Sequence, residues 1–402
     1  MAALVAITIV VGLAVTLLAP PRAFGSWLGA PLPPFFAFWR PAVGGWSLVA
    51  ALGPFDFAVA VLGLALGLRL ALATSVEGPG AWAAVYTGTR GQNEYLPALS
   101  GLELGARAFL DRFAELAPTL PLHPSAHPPG TILTLHLLGI GSANGMAALT
   151  IATGALAAPI TYVLGRRLLD EGGARTAALL FAFAPSALLY GATSADAMFA
   201  TLGVAAAALL AARGRLASVL GATALALASF FSCALLAVGA WAAVLSSLRG
   251  GLLTAARLSA LCAAALVAFY GGLYALTGFD PFGTLAAANQ AYRAGIYFGR
   301  PYWYWLFGSP AAFLVALGVP VAWLALRALA ARTAPAIALG VVVVTAAVLG
   351  FSKAETERIW LFMVPLACVA AATQLEPRRL PAVLGALAAQ ALAVEILLGT
   401  VW

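Results

Sequence analysis

The run SADAMFATLGVAAAALLAARGR (residues 194–215) has the pattern that is typical of the whole chain, a long apolar segment with charged residues only near its ends. Asp196 lies near its start, Arg213 and Arg215 lie at its end, and no charged residue lies between them. A helix needs roughly 20 apolar residues to cross a membrane, and this run approaches that length. The run therefore predicts a membrane-spanning helix with an acid at one end and basic residues at the other.

The same character extends over all 402 residues. Hydrophobic residues make up 63% of the sequence and charged residues only 9%, with a mean hydropathy of +0.99. A water-soluble chain of this composition would expose apolar surface far beyond what soluble proteins tolerate. We therefore predict an all-α polytopic membrane protein in which residues 1–402 form a single transmembrane domain.

Twelve apolar runs are candidates for membrane spans, and because short neighbours can merge we expect about 11–12 transmembrane helices. The runs are 1–19, 56–75, 146–165, 175–192, 195–212, 216–229, 231–248, 254–277, 309–330, 334–350, 360–375 and 381–401. No basic segment precedes the first run, so we expect a retained helix there rather than a cleaved signal peptide.

Arginines collect in five connections that alternate along the chain with connections lacking them. They are Arg166/Arg167/Arg175, Arg213/Arg215, Arg249/Arg257, Arg327/Arg332 and Arg378/Arg379. The positive-inside rule predicts that these connections are cytoplasmic. They also account for the net charge of +7 without a nucleic-acid partner, because the basic residues form no continuous patch. Loops 76–145, 278–308 and 351–359 then face the extracytoplasmic side.

The largest of these loops, 76–145, is the longest segment that cannot lie in a membrane. Within it, residues 99–117 carry apolar and charged side chains at helical spacing. This pattern predicts an amphipathic juxtamembrane helix that lies flat in the interface. Asp111 and Glu115 would belong to its solvated face.

Glu94 precedes that segment and has no helical periodicity to explain it. A carboxylate held at a membrane surface can have a raised pKa, which suits a general base that activates an acceptor hydroxyl. The alternative is a loop glutamate that pairs with Arg90. Glu77 offers the same chemistry but lies at the end of a span.

His123 and His127 lie in the string LHPSAHPPG (122–130). Histidines four residues apart match a metal-ligand spacing on a helix, but the prolines interrupt any regular helix and no third ligand is near in sequence. Two other interpretations stay open: imidazoles that donate to a phosphate or sugar hydroxyl, and a rigid turn. We expect His136, which follows, to be a core residue.

Asp196 lies between two predicted spans, where an acid is costly unless it caps a helix or takes part in function. In loop 278–308, Arg300 is followed by a cluster of aromatic residues that includes Trp303. Such aromatics are typical of membrane interfaces, and beside an arginine they can also hold sugars and lipid phosphates.

Loop 351–359 contains Lys353, Glu355, Glu357 and Arg358 within six positions. This density of charge between two spans predicts either salt bridges among these four residues themselves or a site for an anionic headgroup. In the second case Arg358 could bind a phosphate through two hydrogen bonds, with Lys353 adding a point charge.

Three motifs, HPPG (127–130), RPYWYW (300–305) and KAETERIW (353–360), resemble those of a group of actinobacterial integral membrane proteins placed near the GT-C superfamily. That superfamily comprises membrane glycosyltransferases that use polyprenyl-phosphate sugars. The resemblance covers the architecture from about residue 56 onward. It implies a GT-C-like fold in the plasma membrane, with the active site facing the extracytoplasmic side.

The resemblance also implies roles for residues. Glu94 matches the position of the catalytic acid, which is usually an aspartate, and Asp196 matches a second carboxylate. The residues expected to bind the donor phosphate are Lys353, Arg358 and Arg300. The residues expected to contact substrate are His123, His127, Tyr95, Glu357 and Trp303.

The implied partners are a polyprenyl-phosphate sugar lipid, a glycan or glycolipid acceptor of the cell envelope, and membrane lipid. Some members of the superfamily use a divalent cation, Mg²⁺ or Mn²⁺, and others use none, so the resemblance leaves the cofactor open. A transporter or lipid flippase of the cell envelope is the main alternative function. A scaffold without catalytic activity and a membrane-bound acyltransferase are further alternatives.

Overall fold

The structure is a computed structural model that describes residues 53–75, 78, 81–294, 299–350, 352–353 and 355–398. The described residues belong to one compact unit, and all regular structure among them is helical. The predicted span 1–19 and Glu77 lie outside the described residues.

Twenty α-helices follow one another along the described chain. They are α1 (Pro54–Ala73), α2 (Gly88–Gly91), α3 (Ala106–Asp111), α4 (Phe113–Leu116), α5 (Leu122–Ala126), α6 (Gly130–Leu137), α7 (Ala143–Leu168), α8 (Glu171–Phe183), α9 (Pro185–Thr193), α10 (Asp196–Leu210), α11 (Arg215–Ser229), α12 (Leu236–Gly250), α13 (Leu252–Thr277), α14 (Pro281–Ala294), α15 (Tyr302–Leu317), α16 (Val319–Ala330), α17 (Ala334–Leu349), α18 (Thr356–Ile359), α19 (Val364–Ala372) and α20 (Leu380–Leu397). Short 3₁₀ helices lie between them at Ala81–Tyr86, Leu96–Leu102, Ala117–Thr119, Cys233–Leu235, Leu361–Met363 and Pro377–Arg379.

Several of these helices are long and apolar enough to cross a membrane, which confirms an all-α membrane protein. Five qualify singly: α1, α7, α13, and α12 and α20 together with the 3₁₀ turns that precede them. Two bent pairs, α8 with α9 and α15 with α16, bring the number to seven if each pair is one span.

The sequence predicted 11–12 spans over the whole chain, whereas five to seven qualify among the described residues. The run 1–19 lies outside that part of the chain, and two features of the described helices account for the remaining difference. Four apolar helices are shorter than a full span: α10, α11, α17 and Leu361–Ala372. The two bent pairs turn by 54° at Pro185 and by 117° at Gly318. Proline cannot continue the hydrogen bonds of the preceding helix, and Gly318 has a φ of +97° that an L side chain rarely adopts.

The centre of the bundle is formed by α7, α8, α10 and α19, which pack against one another. Every residue of α19 is buried, as expected for a helix that is apolar on all sides. By contrast, Cys262 is the one buried residue of the 26 in α13. The apolar surface of α13 therefore faces outward, where lipid would cover it.

Arg69 is an exception within this apolar interior, because it is fully buried in α1. Its Nη1 donates to the Ala65 carbonyl at 3.1 Å, and its guanidinium lies 5.6 Å from the centre of the Phe181 ring. A Cβ on Gly191 would lie 2.8 Å from the Arg69 Nε. Glycine therefore lets the guanidinium pack against the backbone of the bent α8–α9 pair, and Arg69 forms no ion pair within the described residues.

The predicted continuous helix over 99–117 is wrong, because the structure places short helical segments there. The break at Gly105, with a φ of +93°, separates the 3₁₀ segment Leu96–Leu102 from α3. Phe109 and Phe113 are buried, and the Phe113 ring lies 6.1 Å from that of Phe279. The apolar face is thus covered by the protein itself rather than by lipid headgroups, while the charged residues on the other face are exposed as predicted.

Candidate functional site

Four ionisable side chains are buried where loop 81–142 and the connection 352–360 meet the start of α10. Relative exposure is 3% for Glu94, 9% for His123, 6% for Asp196 and 7% for Arg358. Ionisable groups are rarely buried so deeply unless they are paired, because burial removes their hydration. We call these four residues the buried cluster.

The backbone around Glu94 is shaped by a close approach at Gly91. A Cβ at that position would lie 2.5 Å from the Tyr86 carbonyl oxygen, so only glycine fits. The Glu94 amide donates to the Gly91 carbonyl at 3.1 Å, and the His123 amide donates to the Asn93 carbonyl at 3.1 Å. These bonds tie the histidine segment to the glutamate segment.

The two side chains meet as a result, with His123 Nε2 3.5 Å from Glu94 Oε1. The alternative in which Glu94 pairs with Arg90 is wrong, since Arg90 is exposed and forms no ion pair in the described part of the chain. Burial raises the pKa of Glu94 to about 8, although the Arg358 guanidinium acts in the opposite direction. Burial also holds the pKa of His123 well below its usual range. Near neutral pH the pair thus holds a proton but little charge.

Asp196 and Arg358 form a buried ion pair. Arg358 Nη1 donates to Asp196 Oδ2 at 2.6 Å, and the Ser194 hydroxyl donates to the same oxygen at 2.6 Å. Asp196 is the first residue of α10 rather than its N-cap, and its own amide donates to Ser194 Oγ at 3.0 Å. The carboxylate therefore also faces the positive end of the helix dipole.

A less buried group of charges adjoins the cluster and consists of Arg300, Lys353 and Glu355. Arg358 Nη2 donates to Glu355 Oε2 at 3.1 Å, and Arg300 Nη2 lies 3.8 Å from Glu355 Oε1. Arg300 Nη1 donates to the Lys353 carbonyl, and Lys353 Nζ donates to the Arg300 carbonyl at 3.1 Å. We call these three residues the outer group; it links two loops that the sequence separates by about fifty residues.

Two tyrosines line the buried cluster. Tyr95 is buried, and its ring centre lies 6.4 Å from that of His127. Tyr86 is the second of them, and no motif in its apolar segment marks it as a site residue. Its hydroxyl donates to Thr150 Oγ1 at 3.2 Å, and burial together with the nearby Glu94 carboxyl raises its pKa.

The string HPPG adopts the rigid turn that was one of its interpretations. The Gly130 amide donates to the Phe230 carbonyl at 3.0 Å, and a Cβ on Gly130 would lie 2.6 Å from that oxygen. The turn directs His127 toward Phe199, with ring centres 5.3 Å apart. Burial lowers the pKa of His127 to about 4, so its imidazole is neutral and can donate or accept a hydrogen bond.

Two other predicted site residues, Trp303 and Glu357, belong neither to the buried cluster nor to the outer group. Trp303 is 72% exposed, which fits an aromatic residue at a membrane interface rather than one that holds substrate in the cluster. Glu357 is half-buried and forms no ion pair within the described residues. The prediction of a core role for His136 is wrong, because it lies exposed near the end of α6.

A divalent cation does not fit the described residues. Nowhere in that part of the chain do three histidine, cysteine, aspartate or glutamate side chains come together as a metal site. The carboxylates of Asp196 and Glu355 are instead bound to Arg358.

The raised pKa of Glu94 has a consequence for stability. The folded state keeps the Glu94 proton up to about pH 8, whereas the unfolded chain loses it near the ordinary glutamate pKa of 4.5. Stability should therefore fall as pH rises between these two values and level off above the higher one. Glu94→Gln keeps the shape without the proton equilibrium. We expect its melting temperature in detergent, relative to wild type, to rise from pH 5 to about pH 8 and to level off above that; a constant difference across this range would contradict the buried, protonated glutamate.

No family model, curated protein or solved structure matches the chain. The resemblance to the GT-C superfamily therefore rests on the three quoted motifs and on the arrangement of spans and outer loops predicted from the sequence. What the protein does has to be argued from the chemistry of the buried cluster and the outer group.

Proposed function

We propose that this protein is a membrane glycosyltransferase that moves a sugar from a polyprenyl-phosphate donor to a hydroxyl of a cell-envelope glycan or glycolipid. The observation that carries the proposal is the buried Glu94 carboxyl, with a pKa of about 8 and His123 beside it. General bases work best when their pKa lies near the working pH. A glutamate that served only as a surface charge would stay exposed and hydrated, whereas Glu94 is buried.

In the proposed reaction, ionised Glu94 accepts the proton of the acceptor hydroxyl while the hydroxyl oxygen attacks the anomeric carbon of the donor. A new bond forms between that carbon and the acceptor oxygen. The bond between the anomeric carbon and the donor phosphate oxygen breaks, and its electron pair leaves with the lipid phosphate. Glu94 then releases the proton to water, while neutral His123, 3.5 Å from the carboxyl, holds that carboxyl in position.

The outer group supplies the positive charge for the leaving phosphate. Arg300 and Lys353 are two cations against the single carboxylate of Glu355, which Arg358 also contacts. Arg358 is largely committed to Asp196 and Glu355, so in this proposal it positions the two carboxylates rather than binding phosphate first. Fixed cations placed where negative charge develops stabilise the transition state most.

The membrane supplies the route for the donor. Tyr302, Trp303 and Tyr304 are exposed at the start of α15, directly after Arg300, where aromatic residues would contact the headgroup region. A polyprenyl chain could then stay in the lipid while its phosphate reaches the outer group. The arginine-rich connections support an orientation in which this end of the bundle faces the extracytoplasmic side of the plasma membrane.

The proposal is tested by a transfer assay across pH. Purified protein in liposomes would be given radiolabelled polyprenyl-phosphate mannose or arabinofuranose together with a cell-envelope glycolipid. We expect kcat/KM to rise about tenfold per pH unit below pH 8 and to level off above it, because ionised Glu94 is the base. Absence of covalent transfer with either donor, or a rate independent of pH, would count against the proposal.

Transport or lipid flipping is the second candidate, and one feature favours it. The fully buried Arg69 lies against the bent α8–α9 pair, and a broken helix with a buried charge is typical of many transporters. Movement of a fluorescent polyprenyl-phosphate lipid between leaflets, without covalent change, would support this function. If Arg69→Leu stops that movement and leaves glycosyl transfer intact, the two activities are separate.

A further inference from the structure

Helix ends that lie away from the buried cluster form a cavity. Its volume is about 400 Å³, within the range of small-molecule sites, and it lies between the α10–α11 and α12–α13 connections. Its position follows from α10, which starts at Asp196 in the cluster and ends at Leu210 in the cavity wall. Fifteen residues of helix separate the two by about 22 Å.

Three arginines line this cavity: Arg213, Arg249 and Arg257. The lining contains no acidic residue, and the sequence has none between Asp196 and Asp280. None of the three arginines forms an ion pair with any described residue. All three are exposed, so water screens their mutual repulsion, and an anion in the cavity would be attracted by each of them.

Other arginines at helix ends show that pairing is available in this protein. Arg166 and Arg175 both bind Glu171, and Arg378 and Arg379 both contact Glu376. Membrane topology requires positive charge in these connections, but it does not require that the charge surround a cavity. What topology leaves unexplained is that three of these arginines line one cavity.

We propose that this cavity binds a phosphate group. Guanidinium groups match phosphate oxygens through paired hydrogen bonds, and the polar residues Ser218, Ser246 and Thr254 line the same space. The remaining wall is apolar, formed by leucines and alanines. A phosphate carried on an apolar body, such as a phospholipid headgroup, or a free phosphate ester would satisfy both surfaces.

The test uses purified protein in detergent and two probes, phosphatidylglycerol and water-soluble glycerol 3-phosphate. Binding would be measured by native mass spectrometry and by the shift in melting temperature. We expect Arg213→Gln, Arg249→Gln and Arg257→Gln each to weaken binding about tenfold or more, since hydrogen bonds to charged groups contribute that much. The triple variant should lose binding.

Arg215→Gln is the matched control, because it removes the same charge from the same connection at a residue outside the cavity wall. Binding of phosphatidylglycerol alone would identify a lipid headgroup as the source, and competition by glycerol 3-phosphate would identify a free phosphate ester. The proposal fails if neither probe binds, or if Arg215→Gln weakens binding as much as the other three. None of these residues contacts the buried cluster, so the result does not depend on the proposed glycosyl transfer.

Discussion

Glu94→Gln is expected to lower glycosyl transfer by about 10²–10⁴-fold, which is the usual contribution of a general base. The amide has nearly the same size and shape as the carboxyl and can still meet His123, but it cannot accept the acceptor proton. Because Glu94 is mostly protonated near neutral pH, the folded protein should tolerate the change well. The measurement is kcat/KM for radiolabelled donor in liposomes, together with the melting temperature.

Glu103→Gln is the control for this experiment. Glu103 belongs to the same loop, is exposed, and has no ion pair in the described part of the chain. Its variant should transfer sugar at the wild-type rate. If Glu94→Gln also works at that rate, Glu94 is not the base, and the buried carboxyl then serves folding alone.

The charged residues of the site could be found from the sequence because charge is rare in this chain. In a sequence with 9% charged residues, each acid or base outside the expected connections is conspicuous, which is how Glu94, Asp196 and Arg358 were singled out. The structure brings these three close enough that the charges of Asp196 and Arg358 act on the Glu94 carboxyl. The roles assigned to them stay predictions.

Uncharged residues beside the site carry no comparable signal in the sequence, because uncharged residues make up most of this chain. Tyr86 lies in an apolar segment, and its place beside the cluster depends on the contact between Gly91 and its carbonyl, which no periodicity reveals. Trp303 is a predicted substrate contact because aromatic side chains can hold sugars. The same residue type is also favoured at membrane interfaces, and the exposure of Trp303 agrees with an interface position. Composition cannot separate these two uses.

Local patterns predicted helices better than they predicted where helices break. The apolar and charged faces of 99–117 were recognised correctly, yet Gly105 interrupts the segment and Phe109 and Phe113 turn into the protein. Likewise, the apolar composition of 309–330 is that of a single span, but Gly318 bends it by 117°. Hydrophobic periodicity does not show which partner covers an apolar face. A glycine in the sequence likewise does not show whether its φ will be positive and break a helix.

The second large effect concerns stability. Arg358→Met is expected to lower the free energy of unfolding by about 3–5 kcal/mol, because it leaves the Asp196 carboxylate buried without its cation. Asp196→Asn should cost less, since Glu355 still pairs with Arg358 at 3.1 Å. The double variant Asp196→Leu with Arg358→Met removes both charges and should recover much of the loss. Denaturant unfolding in mixed micelles measures all three.

The pair formed by Arg112 and Glu115 serves as the comparison. These side chains are 60% and 69% exposed and 3.0 Å apart, so the contact is as short as many buried ones but lies in water. Exposed pairs contribute about 0–1 kcal/mol, and Arg112→Met should change stability by no more than that. If Arg358→Met costs as little, Asp196 and Arg358 are hydrated in the folded protein. The site would then be an open, water-filled one, in which burial could not hold the Glu94 pKa near the working pH.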